Sequence, residues 1–274
     1  MNAPDLKLKL AVAGLGAIGM TVARAVDAGR VPGITLAAVS AKDEARAAFR
    51  VADFAHPPRV MALEDLAREA DVIVECAPAA MFEAVARPAV AAGRILMPLS
   101  VGALLDHMDL VAEAARTGAR IVVPTGALIG LDTVRAMAVG TIHQVRLETR
   151  KPPRGLEGAP YLIENGISLD GLTEPMLVFR GNARQAARGF PANVNVAAAL
   201  ALAGVGPEAT EVEIWADPGL DRNRQSVTIR SDAGEATMTI ANIPSDENPR
   251  TGRIVANSVI AALTRLTAPL VVGS

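Results

Sequence analysis

Through its first half the chain alternates short, nearly continuous apolar runs with stretches whose apolar residues return every three or four positions. Leu8–Ala13 is the first apolar run. Behind it Ile18, Val22 and Val26 fall at i, i+4 and i+8, one stripe of a helix. Further strand-like runs are Ile34 to Ser40 (ITLAAVS), the shorter Arg59 to Met61, Asp71 to Ala77 (DVIVECA), Arg94 to Ser100 (RILMPLS) and Ala119 to Val123. Helical patterns separate the later ones: ALEDLAREA, residues 80–92, and Leu104 to Thr117. Continuous apolar strands alternating with helices predict a parallel sheet covered on both faces, with ligands beyond the carboxyl ends of its strands. That rule gathers Gly14–Gly19, Ser40, Ala77, Pro78, Ser100 and Ala127 around one crevice.

The period changes after about residue 140. His143 to Arg150, Glu211 to Ala216, Gln225 to Arg230 and Glu235 to Ala241 alternate apolar and polar, the pattern of half-buried strands. The last two flank the turn Ser231-Asp232-Ala233-Gly234. Asn182 to Arg188 and Val194 to Ala203 read as helices, and Pro249 to Leu266 as a long amphipathic helix. The expected architecture is α/β: a Rossmann-type parallel-sheet domain over residues 1–138 and a smaller α+β domain over 139–246 with a mainly antiparallel sheet. The final stretch, 247–274, is expected to pack its helix back on the first domain.

The sharpest local signal sits between the first strand and the first helix. Gly14-Leu15-Gly16-Ala17-Ile18-Gly19 has the G-x-G-x-x-G spacing in the strand–turn–helix context that a dinucleotide site needs. Gly14 permits the tight turn, Gly16 lets the backbone approach a pyrophosphate, and Gly19 lets helix and strand pack closely. The helix start, including Ala17 and Ile18, offers unpaired N–H groups and the positive end of its dipole. At the end of the second strand, where NAD selection favours an acidic residue on the ribose 2′-OH, the chain has Ser40-Ala41-Lys42. A hydroxyl and a cation at this tip suit a 2′-phosphate, so NADP is expected alongside NAD.

Composition narrows the classes. With 51% hydrophobic and 20% charged residues the chain reads as globular, and a net charge of −2 gives no electrostatic reason to expect nucleic acid or an anionic membrane. The longest uncharged run, between Arg188 and Glu208, is broken by Pro191 and two asparagines and makes a poor membrane span. A cytoplasmic location is the expectation. The lone cysteine, Cys76, rules out an internal disulfide and a cysteine-based zinc site, and no metal is expected. Inside DVIVECAP it reads as a small buried hydrophobe.

The second half carries more specific strings. Arg150-Lys151-Pro152, Phe190-Pro191-Ala192-Asn193-Val194-Asn195-Val196-Ala197, Ala216-Asp217-Pro218 and Glu247-Asn248-Pro249-Arg250-Thr251 occur in that order. Together with Val74-Glu75-Cys76-Ala77, Ser100-Val101-Gly102-Ala103-Leu104 and Gly126-Ala127, they resemble the L-aspartate dehydrogenase family over essentially the whole chain. The resemblance implies oxidation of L-aspartate with NAD or NADP to iminosuccinate, which yields oxaloacetate and ammonia or feeds NAD biosynthesis, and it implies a homodimer. It puts nicotinamide-side contacts at Ala127 and Asn195. The family's catalytic histidine, in a pattern Asn-x-His, falls on Gln225 of Asn223-Arg224-Gln225.

That replacement bears on the chemistry. Oxidising an amino acid requires loss of a proton from its ammonium group, a task suited to histidine with its pKa of about 6.5. A glutamine amide orients a substrate or water but does not titrate. His143, at the start of the strand leading to Arg150 and Lys151, is the only histidine with a route toward the crevice. His56 lies in a first-domain loop and His107 on a helix. Lys151 is a further candidate base if burial lowers its pKa. Arg150, Lys151 and Arg224 are candidate cations for the two carboxylates of the substrate, and Asn193 is a candidate polar contact. Two other readings stay open: a reductase of the same scaffold acting on a different imine or keto acid, and a dinucleotide-binding homologue without catalysis.

Overall fold

The computed structural model describes residues 7–191, 194–245, 247 and 251–273. The chain divides into two compact units, one running to Pro124 and taking in Val255–Val271, the other spanning Thr125–Ile254 with the last residues from Val272.

The first unit is built on β1 (Leu8–Ala13), α1 (Ala17–Asp27), β2 (Ile34–Ser40), α2 (Glu44–Val51), β3 (Arg59–Val60), α3 (Leu66–Glu69), β4 (Val72–Glu75), α4 (Phe82–Ala91), β5 (Ile95–Pro98), α5 (Val101–Leu104), α6 (Asp109–Thr117) and β6 (Arg120–Ile121). Its six strands lie in the order β3-β2-β1-β4-β5-β6, and every pair is parallel. This is the doubly wound order whose strand sequence reverses between β1 and β4. The core explains the apolar runs: Leu10, Val12, Val72 and Val74 have no exposed surface, and Val22 and Val26 of α1 pack on them.

One expected helix is interrupted. Of the stretch from Leu104 to Thr117, Leu104 ends α5 and α6 starts only at Asp109; between them the His107 ring lies 5.5 Å from that of Phe82. A ring contact made by a residue 25 positions away leaves no trace in local periodicity.

The second unit comprises α7 (Leu131–Met137), β7 (Ile142–Lys151), α8 (Pro160–Glu164), β8 (Met176–Asn182), α9 (Ala183–Gly189), α10 (Asn195–Ala203), β9 (Thr210–Ala216), β10 (Arg224–Ser231) and β11 (Gly234–Ala241). Its sheet has the order β11-β10-β7-β9-β8. Three pairings are antiparallel and one, β7 with β9, is parallel, so the sheet is mainly but not wholly antiparallel. Strand β8 was not expected from the sequence. Its alternation is broken by a register shift between Leu177 and Phe179 and by Gly181. One face of the sheet is buried through Val145, Leu147, Val212, Ile214, Val227 and Ile229; the other is polar.

The last helix, α11 (Arg253–Thr267), places Val259 and Leu263 in the core of the parallel-sheet unit, with neither exposed. Its start lies four residues later than the amphipathic pattern placed it. Among the described residues no helix is long and apolar enough to cross a membrane.

Candidate active site

In the first unit the turn after β1 is shaped by what its glycines lack. Gly14 has φ +99°, and a Cβ there would sit 2.6 Å from the Cys76 carbonyl oxygen. A Cβ on Gly19 would lie 1.9 Å from the Gly14 carbonyl oxygen, so α1 reaches β1 only because that position is bare. Gly16 is different: nothing lies within 4 Å of where its Cβ would be, and it heads α1 without any side-chain cap. Open space beside the uncapped amides of Ala17 and Ile18 is what a pyrophosphate needs.

Neighbouring strand ends close around this turn. The Gly14 N–H donates to the Ser40 carbonyl at 2.8 Å, and the Cys76 N–H to the Ala13 carbonyl at 2.8 Å. Ser40 is buried, whereas Lys42 is exposed. Asp43, the first carboxylate after β2, caps α2 by accepting from the Arg46 N–H at 2.9 Å. Arg50, which the sequence reading did not single out, reaches back 35 residues to donate to the Leu15 carbonyl at 2.6 Å and so brings a cation to the glycine turn.

Ala77 and Pro78 follow β4, half-buried and exposed respectively. Just before them, Glu75 is fully buried and accepts from the Ser100 N–H at 2.9 Å, the Ser100 hydroxyl at 3.1 Å and the Leu99 N–H at 3.2 Å. Burial raises its pKa against the opposing pull of these donors. Glu75 thus pins the end of β5 to the end of β4. Burial likewise pushes the Cys76 thiol up, with the nearby Glu75 as a second cause, so it stays protonated.

In the second unit a cavity of about 590 Å³ opens at one end of the mixed sheet, within the range of small-molecule sites. Its polar wall comprises Lys151, Arg154, Glu157, Asp221, Arg222, Asn223 and Asn242 among the described residues. Lys151 ends β7 on the buried face, only 6% exposed, and desolvation lowers its pKa to about 8. Arg222 is paired with its neighbour Asp221 at 2.7 Å.

Gln225 lies on the same buried face, opposite Thr149 of β7. Its Oε1 accepts from Asn242 Nδ2 at 2.9 Å, and the same Nδ2 donates to the Ala127 carbonyl at 3.0 Å. The expected site residues Gln225 and Ala127 are therefore joined through Asn242, which the sequence reading passed over.

The strand pleat separates the remaining candidates. Arg150 and Arg224 face each other across β7 and β10, on the side of the sheet away from Lys151 and Gln225. Arg150 is held by Glu148 at 2.7 Å and stacks 4.5 Å over the Trp215 ring, and Arg224 is exposed. The cavity cations are Arg154 and Arg222 instead. The physical reason is the period of two: neighbours in a strand point to opposite faces.

Asn195 opens α10, whose N-cap is Val194, and is exposed. Asn193 lies outside the described residues, as do Ala192 and Asn248–Arg250 of the motifs. His143 is exposed at the far end of β7 from Lys151, His56 is exposed, and none of the three histidines lines the cavity.

Comparison with known proteins agrees with both units. A family model described as the aspartate dehydrogenase C-terminal domain matches residues 132–266. One described as the homoserine dehydrogenase NAD binding domain matches 14–124. An L-aspartate dehydrogenase of Bradyrhizobium diazoefficiens is 50% identical, with 98% of this chain and 95% of the relative covered. An L-aspartate dehydrogenase 3 of Bordetella bronchiseptica is also 50% identical, with 98% of each covered. The crystal structure of aspartate dehydrogenase from Thermotoga maritima shares the fold, with a TM-score of 0.71 at 23% identity over 97% of this chain and 99% of that one.

Proposed function

The chain belongs to the L-aspartate dehydrogenase family, and we propose that it oxidises L-aspartate, with NAD or NADP, to iminosuccinate, which hydrolyses to oxaloacetate and ammonia. The observation that carries this reading is the cavity in which a buried amine, Lys151, shares a wall with Arg154, Arg222 and two asparagines. A dicarboxylate asks for cations, and an α-ammonium asks for an acceptor and a base.

The dinucleotide fits the glycine turn, because the space beside Gly16 is open and the α1 amides have no side-chain cap. Gly14, Gly16, Ala17, Ile18 and Gly19 would hold its pyrophosphate, and Ala77, Pro78, Ser100, Ala127 and Asn195 would contact its nicotinamide half. The bound cofactor would supply the hydride acceptor for the substrate Cα. Lys42, two residues beyond β2, and Arg50, bonded to the glycine turn at Leu15, favour NADP, since Asp43 is committed to capping α2.

The residues of the second unit manage the proton. The neutral Lys151 amine takes one proton from the substrate ammonium, so that loss of the hydride leaves a C=NH₂⁺ group and a Lys151 ammonium. Burial prepares this, since an amine with a pKa of about 8 is neutral in a useful fraction at mildly alkaline pH. Arg154 and Arg222 hold the carboxylates. Gln225, standing where the family resemblance puts a histidine, orients groups without titrating. The active species is a homodimer, which sedimentation checks directly.

The test is NAD(P)H formation from L-aspartate between pH 7 and 10. Activity should climb through about pH 8 as Lys151 loses its proton. Absence of any aspartate-dependent signal, with dinucleotide binding retained, would sink the reading in favour of a different substrate on the same scaffold. Gln225→His should raise the rate near pH 7 if the cavity is still built for aspartate.

A further inference from the structure

Asn242 lines the cavity and carries an unsatisfied buried acceptor. The residue is 4% exposed, and its backbone N–H donates to the Asn223 carbonyl at 2.8 Å. Its side-chain orientation is fixed: the Ala127 carbonyl can only accept, so the group facing it at 3.0 Å must be the NH₂ of Asn242. The same NH₂ serves Gln225 Oε1, and the amide oxygen Oδ1 is left with no hydrogen-bond partner among the described residues. Buried acceptors in that state cost free energy and call for a donor.

The wall beside that oxygen is bare for a reason. Gly252 also lines the cavity, and a Cβ on it would come to 3.2 Å from Asn242 Cβ and 3.4 Å from Oδ1. The φ of Gly252 is not one that favours glycine, so what a side chain there would change is the contact with Asn242.

We infer that Asn242 Oδ1 receives an N–H of the substrate's α-ammonium group, and that Gln225 with the Ala127 carbonyl holds the amide in the orientation that makes this possible. The inference rests on the aspartate reading above and says how its amino group is recognised. The cavity wall also carries the exposed Arg154, Glu157 and Asp221, Arg222 paired with Asp221, and Asn223, so that among its polar side chains Lys151 and Asn242 are the buried ones. Asn242 is therefore the buried side-chain acceptor on a wall whose acids are exposed. Gln225 becomes a positioning residue: its oxygen accepts from Asn242 at any pH, whereas a protonated imidazole there would not.

Succinate separates this role from general support of the fold, because it keeps both carboxylates of aspartate and lacks the amino group. Calorimetry on the full chain with saturating reduced dinucleotide should show L-aspartate binding more tightly than succinate. Asn242→Ala should weaken aspartate about tenfold or more, the loss expected for one hydrogen bond to a charged group, and leave succinate unchanged. Gly252→Ala keeps the amide but sets a methyl against its oxygen, and should narrow the same ratio. Equal weakening of both ligands, or an unchanged ratio in both variants, overturns the inference while leaving the proposed function standing. Failure of the parent protein to bind or turn over aspartate overturns both.

Discussion

In the parallel-sheet unit the groups proposed to hold a ligand are backbone amides at Gly14–Gly19. In the mixed-sheet unit they are the side chains of Lys151, Arg154, Arg222, Asn223 and Asn242. The two kinds of site fail in different ways. A backbone site depends on where side chains are missing, so it is damaged by adding atoms. A side-chain site depends on strand register: a slip of one residue between β7 and β10 would exchange Gln225 for Arg224 on the buried face.

Removing the base should give the largest effect. Lys151→Met is expected to lower kcat/KM for aspartate by roughly 10² to 10⁴ and to abolish the rise in rate through about pH 8. Its effect on stability should run the other way. A lysine whose folded pKa lies below its unfolded value destabilises the fold while charged, fully below about pH 8, and the penalty disappears as pH rises toward its unfolded value. Methionine should therefore raise the melting temperature at pH 7, by up to about 3 kcal/mol of stability, with little gain near pH 11. A variant that loses both activity and stability at pH 7 would show that Lys151 holds the structure rather than the chemistry.

The complementary damage is Gly19→Ala in the other unit. The methyl would collide with the Gly14 carbonyl, and relief requires α1 to move away from β1. We expect a loss of about 1–3 kcal/mol in denaturant titration together with loss of dinucleotide affinity by fluorescence. Retained affinity would mean that the turn is not the phosphate site. The smallest effect is expected at Arg224→Ala, on the exposed face: KM for aspartate unchanged and stability within about 0.5 kcal/mol. A large rise in KM would return Arg224 to the substrate site.

Much of the first unit could be read in advance because its determinants are local. Apolar runs buried on both faces, a helix stripe and three glycines at fixed spacing each carry their meaning within a few residues, and the sheet obeys them. The second unit was legible as strands but not as a site. Arg150 and Lys151 are adjacent in sequence, yet the pleat sends them to opposite faces, and only Lys151 meets the cavity. Arg50 at the glycine turn and Asn242 beside Gln225 escaped notice because their partners lie 35 and 17 residues away.

The amino-acid sequence by itself determined the alternation of strands and helices in the first unit, the glycine turn and the family, since each rests on spacing that survives without coordinates. Tertiary structure alone decided which cations reach the cavity, what Gln225 touches, and which way the amide of Asn242 points. Those outcomes depend on cross-strand register and on hydrogen bonds between residues distant in the chain. Burial then decided the rest: it is the desolvation of Lys151, invisible in one dimension, that lowers the pKa of its amine to about 8.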